Sequence, residues 1–248
     1  MRTLASGQKH QIPVRMKNCA TFLLLLLPLL TLGQIAPGVY TASETLENGK
    51  RNYQLLVTDS YMVHTVYDSN PAKFIRTMGG YYTVDQDSLK INLEFNSDFE
   101  KTGEREHRAF IGFQSGQLVF NENATRPYTR QPEVAQPLDG LWLFATRGPD
   151  TGQERRGDSA PRKTLKFLTD GHFQWIAYNV ETMDFRGTGG GRYAAEQGTY
   201  TEVIEFFSRD DSRVGAELSF EFERKGSDWH HKGKNSKGEP MYEIWSLR

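Results

Sequence analysis

Apolar and polar positions alternate in short runs along most of this chain. Leu89–Phe95 reads Leu, Lys, Ile, Asn, Leu, Glu, Phe, and Leu218–Glu223 reads Leu, Ser, Phe, Glu, Phe, Glu. Successive side chains of an extended chain point to opposite faces, so each run predicts a strand with one buried face. Tyr61–Tyr67 and His172–Tyr178 are rich in aromatic and β-branched residues, and each follows a Thr-Asp-Ser or Thr-Asp-Gly turn. Ala109–Phe113 and Gln117–Phe120 flank Ser115-Gly116 and predict a hairpin. Helix-period stretches of useful length are absent after residue 33. The predicted fold class is all-β.

One segment breaks the pattern. Ala20–Leu32 is a continuous apolar run of 13 residues, preceded by Arg15 and Lys17 and followed by small residues. A bilayer span needs about 20 apolar residues, so the run predicts a signal peptide over 1–33, cleaved between Gly33 and Gln34. Met16 makes a more ordinary start than Met1. The expected mature product is secreted or periplasmic, with no transmembrane segment.

The remainder repeats itself. Thr58–Ser97 laid over Thr169–Ser208, without a gap, gives twelve identities in forty positions. They are Thr58/Thr169, Asp59/Asp170, Tyr67/Tyr178, Phe74/Phe185, Thr77/Thr188, Gly79/Gly190, Gly80/Gly191, Tyr82/Tyr193, Gln86/Gln197, Glu94/Glu205, Phe95/Phe206 and Ser97/Ser208. Gly38-Val-Tyr40 and Gly140-Leu-Trp142 open the two copies, and the second has gained about nine residues, placed in the polar stretch 148–163. Short strands joined by tight turns predict one small antiparallel barrel per copy, over 34–131 and 138–248, with 132–137 as linker. Gly187–Gly191, four glycines in five residues, reads as a hairpin connection.

The second copy, with Gly140-Leu-Trp142, Lys166–Trp175, Gly189–Tyr193, Tyr200–Glu205, Trp229–Gly233 and Glu243-Ile-Trp245, resembles the lipocalin-like (calycin-type) domains of exported bacterial proteins, a family of unknown function. The resemblance covers Leu138–Arg248 and reaches the first copy only through the duplication. It implies two tandem lipocalin-like barrels, each closed around a central cavity, the first degenerate. It implies no activity and no catalytic residues.

Charge and cysteine content narrow the function. With Arg2, Lys9, Arg15 and Lys17 set aside, 26 basic residues face 31 acidic ones, a balance that argues against nucleic acid as partner. The one cysteine, Cys19, lies in the leader, so disulfides, cysteine-ligated metals and thiol catalysis are excluded from the body. No cofactor and no metal site is predicted.

Comparing the copies singles out polar exchanges. Leu89, Ile91, Leu93 and Phe95 form an apolar stripe, and the matching positions are Tyr200, Glu202, Ile204 and Phe206. A carboxylate on an inward face demands a partner or a shifted pKa. Tyr61, Val63, Thr65 and Tyr67 likewise become His172, Gln174, Ile176 and Tyr178. The expected ligand-binding set is His172, Gln174, Tyr178, Tyr193, Glu202 and Glu243, lining the second barrel, with the first a filled core. The leading expectation is binding of a small hydrophobic or amphipathic molecule there. The alternatives are a barrel hydrolase or isomerase using Glu202 and a histidine, and a cell-envelope protein whose surface meets a protein partner.

Overall fold

The computed structural model describes residues 35–120, 126–235 and 238–248. The leader and its cleavage point lie outside the described residues. Residues 35–248 belong to one compact unit containing two eight-stranded antiparallel sheets.

The first sheet contains β1 (Gly38–Leu46), β2 (Gly49–Val57), β3 (Tyr61–Ser69), β4 (Lys73–Asp85), β5 (Ser88–Asn96), β6 (Glu106–Gln114), β7 (Gln117–Phe120) and β8 (Thr129–Arg130). Its order is β7-β6-β5-β4-β3-β2-β1-β8, and a single bridge between Leu118 and Tyr128 joins the two ends into a ring. A one-turn helix, α1 (Phe99–Thr102), sits between β5 and β6. The second sheet contains β9 (Gly140–Arg147), β10 (Arg162–Thr169), β11 (His172–Asn179), β12 (Phe185–Glu196), β13 (Thr199–Phe207), β14 (Glu217–Lys225), β15 (Asp228–Lys234) and β16 (Pro240–Leu247). It is a fully closed barrel. The predicted all-β architecture of two tandem barrels is therefore observed, and β8 lies just before the predicted linker.

The strand pairings of the two copies correspond. Gly38 pairs with Val57 as Gly140 pairs with Leu168, and Tyr40 pairs with Arg130 as Trp142 pairs with Leu247. The inserted residues form the long connection between β9 and β10, where the first copy has only the tight turn between β1 and β2.

Both copies carry a β-bulge at the same place. Register shifts at Gly79/Gly80, where Glu94 becomes the extra residue of β5, and at Gly190/Gly191, where Glu205 is the extra residue of β13. A bulge turns consecutive side chains toward one side. Phe95 and Phe206 therefore leave their barrels' inner stripes and join the contact between barrels. The expectation that Phe95 continues the core stripe of Leu89, Ile91 and Leu93 is corrected for this reason. Gly187–Gly191 is also corrected: it lies inside β12, not in a connection. A Cβ at Gly189 would stand 2.7 Å from Trp175 and Phe207, and one at Gly190 would stand 2.5 Å from the Phe206 ring, so the glycines make room for aromatic rings.

The barrels meet through their outer faces. Val39, Leu56, Tyr61, Val63 and Phe95 pack against Leu143, Leu165, Phe167, Ile176 and Tyr178. The contact has a local two-fold character. Tyr67 donates to Glu205 at 2.9 Å and Tyr178 donates to Glu94 at 2.8 Å, each pair being the other's repeat counterpart. Phe206 stacks near Tyr67 (4.8 Å between centroids), Phe95 near Tyr178 (5.1 Å), and Phe74 lies parallel to Phe185. Five of the twelve identities shared by the repeats thus build the contact between them.

Candidate functional site

The interior of the first barrel holds a partly open cavity of about 150 Å³. Its apolar wall includes Leu55, Met62, Met78, Ile91 and Phe120; its polar groups include His64, Arg76, Asn96, Glu104, His107 and Tyr128. β3 turns Met62 and His64 inward, while Tyr61, Val63, Thr65 and Tyr67 face the other barrel. His64 Nε2 lies 3.0 Å from the Tyr128 hydroxyl. Although only half-buried by surface, His64 sits deep in the barrel, because its accessible face looks into the cavity. Burial, with Arg76 beside it, lowers its pKa to about 3, so the ring is neutral at ordinary pH. At the end of the cavity beside α1, Glu104 lies 2.7 Å from His107 Nδ1, and Asn96 donates to Thr102.

The second barrel is filled where the first is hollow. Lys166 and Glu202 occupy the positions of Leu55 and Ile91, and their charged ends meet at 2.8 Å. Tyr200 also donates to Glu202 at 2.8 Å. The Lys166 ammonium lies 5.0 Å from the ring centroids of both Tyr200 and Trp229, an arrangement in which aromatic faces compensate a desolvated cation. Trp142, Trp229 and Trp245 are core residues, so the tryptophans of the second copy mainly fill space. Next to them, His231 is 2% exposed. Its Nδ1 lies 3.6 Å from the Glu243 carboxylate, within ion-pair distance but just beyond hydrogen-bonding reach, and neither ring nitrogen has a hydrogen-bond partner among the described residues. The indole N–H of Trp229 is also unpartnered. Burial, then the Lys166 charge, lowers the His231 pKa. A groove of about 470 Å³ opens over Phe144, Glu243 and Trp245 at this barrel's surface.

The six residues singled out in the sequence divide into two groups. Glu202 faces the interior, as the repeat comparison predicts, and its partner is Lys166. Tyr193 also faces inward and donates to Asp139, while Glu243 accepts from Trp245 Nε1 at 3.2 Å. His172, Gln174 and Tyr178 occupy the opposite face of β11. Gln174 is fully buried between the barrels, bonded to Thr65, Thr77 and Thr188 at 2.8–3.1 Å. Tyr178 reaches Glu94, and His172 lies beside Arg192 with its Nδ1 3.0 Å from the Asp170 carbonyl. The expectation that these three line the second barrel together with Glu202 is corrected. The physical reason is that both faces of β11 are buried, one in its own barrel and one against the first, so alternation alone does not identify the inner face. Phe173 and Trp175 line that inner face instead.

Lys166 was readable by the same comparison, because its counterpart is Leu55, another apolar-to-charged exchange on a matched strand. The first-barrel cavity has a weaker signal: His64 interrupts an otherwise apolar inner stripe. Among the described residues no group of three or more His, Cys, Asp or Glu side chains is arranged to hold a metal ion. Compared with known proteins, the chain matches no family model and no curated sequence.

Proposed function

We propose that this is an exported, lipocalin-like protein that binds a small amphipathic molecule inside its first barrel. The observation carrying this reading is the cavity of about 150 Å³ with an apolar wall and a polar end. A volume of this order has room for a single aromatic ring, and a few polar groups in an apolar wall fix a ligand's orientation. His64, Tyr128, Arg76 and His107 supply hydrogen-bonding groups of both kinds; Leu55, Met62, Met78 and Ile91 supply the apolar contact. Native mass spectrometry of the chain from Gln34, before and after solvent extraction, tests the proposal. A retained molecule that is lost in Ile91→Trp, with the fold intact by circular dichroism, supports it. A ligand-free mass together with no uptake of small aromatic alcohols by either protein overturns it.

A second reading belongs to the second barrel. The unpartnered nitrogens of His231 and the Trp229 indole N–H favour a small polar guest there, since buried polar groups ordinarily find partners. In that case His231→Phe, rather than Ile91→Trp, abolishes retention.

A further inference from the structure

The two-fold contact between the barrels has two equivalent corners, and they are finished differently. At the first, Glu94 accepts from Tyr61 and Tyr178 and receives the Arg248 guanidinium at 2.6 and 2.8 Å. That guanidinium lies 5.2 Å from the Tyr61 ring centroid and 4.9 Å from that of Tyr81. Asp158, from the long connection between β9 and β10, adds a contact at 2.9 Å. Burial alone would raise the Glu94 carboxyl, but the arginine and the two hydroxyls outweigh it and hold the group below the usual carboxylate range.

At the second corner the acid is Glu205 and the hydroxyl donor is Tyr67. The counterpart of Arg248 is Gln131: its backbone N–H donates to Val39 as that of Arg248 donates to Leu141. The Gln131 side chain turns to Thr41 and to the Thr129 carbonyl, leaving Glu205 with no Lys or Arg ion pair among the described residues. The first copy also lacks the insertion that carries Asp158. In place of a filled corner there is a groove of about 500 Å³, lined among others by Glu205, Tyr67, Gln131, Lys50, His172 and Arg192. His172 and Arg192 stand where Tyr61 and Tyr81 stand at the first corner.

We propose that this groove is a ligand site for an alkylguanidinium bearing an acidic group, with arginine as the simplest example. The guanidinium pairs with Glu205 as Arg248 pairs with Glu94, and because Arg192 replaces the tyrosine ring beside that place, the ligand's acid is needed to meet Arg192 and Lys50 and offset the like charge. A charge-assisted pair of this kind is strong and geometrically selective. The site is separate from both barrel interiors, so its occupancy is independent of the function proposed above.

The test is calorimetric titration of the chain from Gln34 with L-arginine, L-citrulline and agmatine. Arginine should bind saturably with Kd near or below about 1 mM, and citrulline, which lacks the charge, and agmatine, which lacks the carboxylate, should bind at least about tenfold more weakly. Glu205→Gln should weaken arginine binding by a similar factor. Gln131→Arg should abolish it by filling the groove from within the chain, with no loss of thermal stability. Absence of saturable arginine binding, equal binding of citrulline or agmatine, or indifference to both substitutions overturns the proposal.

Discussion

At the residue scale, the most informative feature is the exchange of Leu55 and Ile91 for Lys166 and Glu202. Two apolar side chains beside a cavity become an ion pair whose side chains are each about 7% exposed or less. Removing one member of such a pair leaves a desolvated charge and typically costs about 3–5 kcal/mol, whereas replacing both by apolar groups is often close to neutral. Lys166→Met should therefore lower stability by about that amount, and Lys166→Met with Glu202→Leu should recover most of it, as read by urea denaturation. A double variant no more stable than the single one would mean that the pair is held for something other than mutual compensation. The sequence exposes Glu202 because its counterpart Ile91 is apolar, and the same exchange of Leu55 for Lys166 marks its partner.

His64 carries a pH dependence of definite sign. Its folded pKa lies near 3, below the ordinary histidine value of 6.5, so the unfolded chain binds the extra proton first. Stability is thus unaffected above pH 6.5 and declines as pH falls from there toward 3, by about 2 kcal/mol between pH 7 and pH 5 from this residue alone. His172, lowered to about 4 by burial and by Arg192, acts in the same direction. Melting temperature measured across that interval should fall, and His64→Gln should flatten part of the slope. An unchanged slope in His64→Gln would show that the ring reaches solvent and protonates within the folded protein.

At the scale of elements, strands were legible and their interruptions were not. Period-two alternation recovered Leu89–Phe95 as the body of β5, with parity regular only as far as Leu93, and aromatic and β-branched content recovered Tyr61–Tyr67 as the body of β3. Parity fails at a bulge, which needs one residue more on one strand than on its partner, and a single strand's sequence does not display its partner's length. The glycines were the visible trace. At Gly79 an added Cβ would lie 2.6 Å from the Met62 carbonyl and 2.7 Å from the Phe95 ring; at Gly190 it would lie 2.5 Å from the Phe206 ring. Gly79→Ala and Gly190→Ala should each cost more than about 2 kcal/mol, through overpacking against backbone as well as rings. Gly112→Ala, whose Cβ would meet only Val119 at 3.7 Å, should be nearly neutral by comparison. Equal effects at all three sites would remove the close approach as the explanation for the repeated Gly-Gly pair.

At the scale of the whole molecule, the repeat identities have a common physical purpose. They are sparse inside the barrels, where one copy has a cavity and the other an ion pair, and dense where the barrels touch. Tyr67, Phe74, Thr77, Glu94 and Phe95 recur as Tyr178, Phe185, Thr188, Glu205 and Phe206 because each set contacts the other across the local two-fold. This is also why the outer face of β11 misled a reading by burial: it belongs to a second core shared by both barrels. A shared apolar core makes the barrels' stabilities interdependent, so the intact chain should unfold in one transition. The four tryptophans all lie in the second copy, which makes their fluorescence a reporter of that barrel alone, while far-ultraviolet circular dichroism follows both. The two signals should coincide during thermal unfolding. Phe95→Ala with Phe206→Ala removes one ring from each corner of the contact, each truncation costing about 3–5 kcal/mol, and should separate the curves, with the first, more loosely closed barrel melting at lower temperature. If the curves are already separate in the unaltered protein, the contact is too weak to couple the barrels, and the shared identities have no role in joint stability.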